Sequence, residues 1–251
     1  MIRAALLLAL LGGQSAPEQL RFITCPVYRD TDAGRKSGCW LAEDRATGIR
    51  YDVTLAPSKP DWNHEVLVEG VLSASTAQPC GGPVLDAVRT SVLPGTCTRQ
   101  MLPAEGFPGR KFVLPKRNIQ PLSVKRTPPA GPFASRTFHL LFDFDQSFLI
   151  YQYDDYFLDE AVAWIRAAKP RAILVTGHAA TAPTFVSGRR IVERPVIARE
   201  RAEKIAEALV RLGIDRSIVT VRWKAGEVAE MPEADGLAEP SRRRVDIAVS
   251  F

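Results

Sequence analysis

The sequence predicts an α+β protein in two unlike parts: a small disulfide-stapled β-rich domain, then a β-α-β-α-β-β sandwich. Three observations carry that prediction. All four cysteines, Cys25, Cys39, Cys80 and Cys97, lie in the first half of the 251 residues. A stretch rich in proline and basic residues, 103–135, divides the chain and suits neither a helix interior nor a central strand. Beyond it, the apolar spacing switches between the periods of strand and helix. The expected organisation is a leader at 1–16, a β-rich domain at 17–102, a linker at 103–135 and an α+β domain at 136–251.

Composition permits a packed core, with 46% apolar and 24% charged residues, and excludes wholesale disorder. The formal net charge of +5 suits an anionic partner such as a polymer or a lipid surface. Mild basicity spread over a solvated surface is the simpler explanation and is favoured.

The chain opens with Arg3, an apolar run from Ala4 to Leu11, and the small residues Gly12, Gly13, Ser15 and Ala16. This is the pattern of a secretory leader, with cleavage expected near Ser15 or Ala16. The run is too short to span a bilayer. No cysteine follows it to take a lipid, and no later segment is long and apolar enough to cross a membrane. The mature chain is therefore expected in the periplasm, associated with the outer membrane or the cell wall.

An even cysteine count in an exported chain implies two disulfides. Three connectivities are open. Cys25–Cys39 with Cys80–Cys97 is favoured because it closes short local loops. A zinc site is disfavoured because no Cys-x-x-Cys pair exists. Strand-like runs accompany the cysteines at 21–24, 48–54 and 65–72, with turn signals at Asp32–Gly34 and Pro57–Pro60.

After Arg136 the elements follow in order. Residues 138–144 form a strand. A helix over 155–168 carries Leu158, Val162 and Ile165 on one stripe, and Pro170 stops it. Ala172–Thr176 is a continuous apolar strand, as expected when both faces are covered. A second helix, from Pro195 to Leu212, lines up Ala198, Ala202, Ile205 and Leu209, with Gly213 to end it. Strands follow at 218–223 and 244–251. Helices on one side of a mixed sheet complete the sandwich.

Four stretches of this half stand out: Phe142-Asp143-Phe144-Asp145, Val175-Thr176-Gly177-His178, Ala198-Arg199-Glu200-Arg201-Ala202 and Arg243-Arg244-Val245-Asp246-Ile247. In this order and on these elements they resemble the OmpA-like C-terminal domain, a peptidoglycan-binding family. The resemblance covers 136–251. It implies a site for the diamino acid of the peptidoglycan stem peptide. Arg201 corresponds to the arginine that holds the ligand carboxylate, and its planar fork suits that group. Phe144, Asp145 and Gln146 fall in the turn whose backbone adds hydrogen bonds.

The chain departs from the family where an Asp holds the ligand ammonium, because that position is Ala180. Loss of one charge-assisted contact costs about 1.5–3 kcal/mol. The following loop is longer than the family norm and holds Arg189 and Arg190, which favour an anion. Glu193, in the same loop, is placed to restore the missing charge if the loop folds back.

Blander readings stand beside these. Arg201 is equally explained as a brace on the sheet. His178, at a strand end, is more simply a packed or capping residue than a catalyst. The aromatic residues Phe148, Tyr151, Tyr153, Tyr156 and Phe157 suit core packing better than a partner face. Arg242–Arg244 has the look of a nucleic-acid patch, but an exported chain is not expected to meet nucleic acid. There are only three histidines, His64, His139 and His178, with no nucleophile elbow and no His-Glu-x-x-His motif. Gly34–Ser37 lacks the glycines of a phosphate loop. No catalysis, metal or cofactor is expected. The expected function is a non-catalytic envelope protein whose OmpA-like domain binds peptidoglycan and tethers the N-terminal domain. The alternative is an interaction module for an envelope protein partner, with wall binding lost.

Overall fold

Alternating apolar residues give the first half its strands and the second half its sheet. The computed structural model describes residues 19–32, 38–104, 106–109, 127–149, 154–231 and 236–251. The expected leader, Gly34–Ser37 and most of the Pro/basic stretch lie outside the described residues. The strands of the first half are β1 (Gln19–Thr24), β2 (Pro26–Arg29), β3 (Cys39–Asp44), β4 (Ile49–Asp52), β5 (His64–Leu72), β6 (Leu85–Thr96) and β7 (Gln100–Leu102). The second half runs β8 (Arg136–Leu141), α1 (Asp154–Ala168), β9 (Ala172–Ala180), β10 (Thr184–Val186), β11 (Arg189–Ile191), α2 (Val196–Arg211), β12 (Val219–Gly226), α3 (Ala238–Ser241) and β13 (Arg244–Ser250).

In the first half, β1, β5 and β6 make an antiparallel sheet, and β4-β3-β2-β7 make a second sheet. Phe22, Tyr51, Val53, Val66, Val68 and Leu85 pack into one buried cluster from both sheets. All four cysteines are paired, but as Cys25–Cys97 and Cys39–Cys80, with Cα separations of 5.7 and 5.8 Å. The favoured local pairing is therefore corrected. Cys39 pairs in register with Arg29, at the far end of β2 from Cys25. Four residues of strand span about 13 Å, well beyond the reach of a disulfide. Cys97, by contrast, is brought to the Cys25 end of its sheet, where its amide bonds to Asn63 O at 2.7 Å.

In the second half the sheet order is β12-β9-β13-β8. Strands β9 and β12 are parallel, while β13 is antiparallel to β8 and β9. One face packs Leu140, Val175, Val245 and Ile247 against Leu158, Val162 and Ile165 of α1 and Ala202, Ile205 and Leu209 of α2. This is the expected mixed sheet with its helices on one side. Gly213, at φ 86°, closes α2 by bonding Val210 O, while Ile214 N reaches back to Leu209 O. At Gly177 a Cβ would lie 2.0 Å from Ala198 O, so glycine lets α2 approach β9 closely.

The two halves also meet directly. Ile23, Leu67 and Leu93 of the first half cluster with Val186 and Ile191 of the second, and Phe144 packs against them. Buried charges join them as well. Glu69 pairs with Arg243, and Arg89 approaches Asp143 at 3.4 Å. The Pro/basic stretch thus connects two halves that already share an interface.

Candidate carboxylate site

Three backbone turns and one helix build the site. After β8 the chain turns through Asp143–Gln146, with Gln146 N bonded to Asp143 O at 3.2 Å. Asp145 takes φ 54°, a left-handed conformation that Asp tolerates better than most residues. Beyond β9, residues 181–195 leave the sheet as a hairpin of β10 and β11, paired Thr184↔Ile191 and Val186↔Arg189. Its two tip residues, Ser187 at φ 48° and Gly188 at φ 73°, both have the positive φ of a type I′ turn. The chain then returns through Glu193 and Arg194 to start α2.

Arg201, on the buried face of α2, is 0% exposed and fully engaged. Its fork grips Glu193 in bidentate fashion, with Nη2 to Oε1 at 2.6 Å and Nη1 to Oε2 at 3.1 Å. Its remaining donors reach Gln146 O at 2.7 Å, His178 O at 2.7 Å and Asp143 O at 3.1 Å. Burial lowers the guanidinium's pKa, and the Glu193 carboxylate opposes that shift.

Glu193 is 1% exposed. Besides the arginine, its carboxylate accepts Asp145 N on Oε1 and Ala180 N on Oε2, each at 2.8 Å. The neighbouring residue is clasped in return. Asp145 accepts Arg194 N at 2.8 Å and Arg194 Nε at 2.7 Å. An arginine fork and two backbone amides from separate elements therefore converge on one carboxylate.

Of the sequence-expected site residues, Arg201, Asp145 and Gln146 come together here, as does Ala180 through its amide. Phe144 faces away: its amide donates to Ser91 Oγ at 2.8 Å and its ring packs toward the first half. The longer loop does fold back, but Glu193 lands on Arg201 itself.

His178 binds Asp246 through Nε2 at 2.8 Å, and His139 binds the same carboxylate through Nδ1 at 2.8 Å. Burial pushes the Asp246 pKa up. The two imidazoles and Arg244 outweigh that and hold it well below the usual carboxylate range. Each arginine of the 242–244 run has its own acid, Arg242 with Glu230, Arg243 with Glu69 and Arg244 with Asp246, so no free basic patch forms there. Phe148 is exposed and Phe157 packs on the core, while the side chains of Tyr151, Tyr153 and Tyr156 lie outside the described residues. Among the described residues, no three His, Cys, Asp or Glu side chains gather as a metal site requires.

Sequence reasoning missed Glu69. It sits among the apolar residues of Val66–Leu72, and a lone carboxylate inside such a run is the available signal of a buried cationic partner.

The C-terminal half is an α+β sandwich similar in structure to OmpA-like domains. No protein-family model matches the chain, and no curated protein matches it. Among solved structures, it is similar to the OmpA-like domain of FopA1 from Francisella tularensis, at 17% identity over 45% of this chain and 70% of that one, with a TM-score of 0.35. It is also similar to the peptidoglycan-associated lipoprotein from Burkholderia pseudomallei, at 22% identity over 45% and 89%, with a TM-score of 0.34. A third is the cell wall anchor of the T6SS from Pseudomonas aeruginosa, at 22% identity over 44% and 74%, with a TM-score of 0.33. Among the described residues, no helix is long and apolar enough to cross a membrane.

Proposed function

We propose that this chain is a non-catalytic cell-envelope protein whose second half holds a carboxylate of the peptidoglycan stem peptide and so ties the β-rich first half to the wall. One observation carries this reading. The Arg201 fork, Asp145 N and Ala180 N form a cradle around a single carboxylate. Charge-assisted bidentate bonds and backbone amides suit such a group in a fixed orientation. Of its members, the resemblance marks Arg201 for a ligand carboxylate and places Asp145 in the turn whose backbone adds hydrogen bonds, while the Ala180 amide is supplied by the position marked for the ammonium partner. Ala180 offers no anion for the ligand's ammonium, so the hold on a zwitterion is weaker by about 1.5–3 kcal/mol.

A second reading has its own support. The cradle is already filled by Glu193, which suits an interaction module that no longer meets the wall. Co-sedimentation with an excess of insoluble peptidoglycan sacculi, at low and high salt, separates the two. Retention that survives salt and falls with Arg201→Lys supports wall binding, because lysine keeps the charge and loses the fork. Retention that salt removes, and that Arg201→Lys leaves unchanged, supports the second reading.

A further inference from the structure

We infer that the β10–β11 hairpin is an intramolecular plug, with Glu193 occupying the carboxylate cradle and the N-terminal sheet holding the hairpin in place. The inference rests on the wall-binding reading above and adds regulation of the same site.

Three features separate Glu193 from an ordinary structural ion pair. It is carried by an excursion from the sheet, not by a core element. Half of its hydrogen bonds come from backbone amides, Asp145 N and Ala180 N, which would accept any carboxylate in the same orientation. And the hairpin that carries it has three-residue strands, too short to be stable alone.

What holds the hairpin is the first half of the chain. Val186 and Ile191 bury against Ile23, Leu67 and Leu93. Ile23 N donates to Ser187 Oγ at 2.9 Å, and Arg189 pairs with Glu65. This seam is not fully packed. A cleft of about 260 Å³ runs along it, lined by Ile23, Glu65, Ser187 and Arg189. The outer strand residue Phe185 is 74% exposed and adds nothing to the hold.

A tethered carboxylate competes with a free one at an effective concentration on the order of millimolar. An external ligand therefore sees its affinity reduced by the fraction of time the plug is out. Anything that draws the N-terminal sheet from the hairpin raises that fraction. The first half would then act as the lock of the second half's site.

The test uses the full chain and three variants: Glu193→Ala, which removes the plug's carboxylate, Ile191→Asp, which loosens the lock, and Glu193→Ala with Arg201→Lys. Two readouts are taken together, retention on sacculi and hydrogen exchange at the Ala180 and Asp145 amides. Retention at least tenfold higher for Glu193→Ala and for Ile191→Asp, lost again with Arg201→Lys, and faster exchange at both amides support the plug. Ile191→Asp keeps Glu193 and Arg201, so the idea stays testable if Glu193→Ala fails to fold. Full retention by the unmodified chain, equal to that of Glu193→Ala, overturns the plug and leaves wall binding standing. Unchanged exchange at both amides in Ile191→Asp also overturns it. Faster exchange with no retention in any variant overturns the wall-binding reading, and the regulatory role falls with it.

Discussion

Two buried carboxylates, Glu193 and Glu69, look alike in exposure and differ in what surrounds them. Both are about 1% exposed and both grip an arginine. Glu69 stands within β5 and is met only by side chains, Arg21 and Arg243. Its partners sit on β1 and at the edge of β13, so the cluster joins the two halves through regular strands. Glu193 stands on an irregular return from a hairpin, and backbone amides complete its shell. A shell of side chains on strands is specific to one partner. A shell of backbone amides and one fork is specific to a chemical group, which any carboxylate can supply. Near-equal burial thus serves a weld in one place and a site in the other.

The comparison breaks or sharpens under substitution. The largest effect is expected at the weld. Arg243→Ala leaves Glu69 buried with only Arg21, and should cost about 3–5 kcal/mol in denaturant unfolding. Glu193→Ala should cost less, about 2–3 kcal/mol, because Arg201 keeps three carbonyl acceptors. If the Glu193 loss equals or exceeds the Arg243 loss, the distinction between weld and site fails.

Acid should act next, with one sign at Glu69 and Asp246 and the opposite sign at Asp143. Burial pushes Glu69 up, but Arg243 and Arg21 outweigh it and hold its pKa below the ordinary value, as the two histidines and Arg244 do for Asp246. A depressed folded pKa gives stability that is full above the unfolded value, about pH 4, and is lost as pH falls further. Asp143 is raised by burial despite Arg89 and Ser58. Its contribution is therefore full at low pH and lost as pH rises through its folded value. Asp143→Asn should flatten the loss of stability that sets in as pH rises above about 4, and Asp246→Asn the loss that sets in below it. The smallest effect is expected at the exposed Arg199–Glu203 pair on α2. Its removal should change stability by less than about 0.5 kcal/mol and leave wall retention alone.

Much of the second half was legible in the sequence. Ala198, Ala202, Ile205 and Leu209 repeat at helical spacing and end at Gly213, so α2 could be read to within a residue or two. The alternation of Val245, Ile247 and Val249 fixed the last strand. The first half was less legible because its sheets join strands distant in sequence. Cysteine pairing followed which strand ends meet, Cys25 with Cys97 and Cys39 with Cys80, and short loop length was a poor guide to that. The site was half legible. Arg201 lies on a periodic helix and could be placed. Glu193 lies in a non-periodic loop, so its grip on Arg201 depended on a hairpin whose position is set by Ile23, Leu67 and Leu93, residues far earlier in the chain.

The most direct measurement follows the Ala180 and Asp145 amide resonances of the Glu193→Ala chain while a soluble stem peptide ending in its diamino acid is added. The account predicts that both resonances shift saturably, and that Arg201→Lys in the same background abolishes the shift. Two unmoved resonances in a folded protein would contradict it, because the emptied cradle would then have no use for a carboxylate from outside.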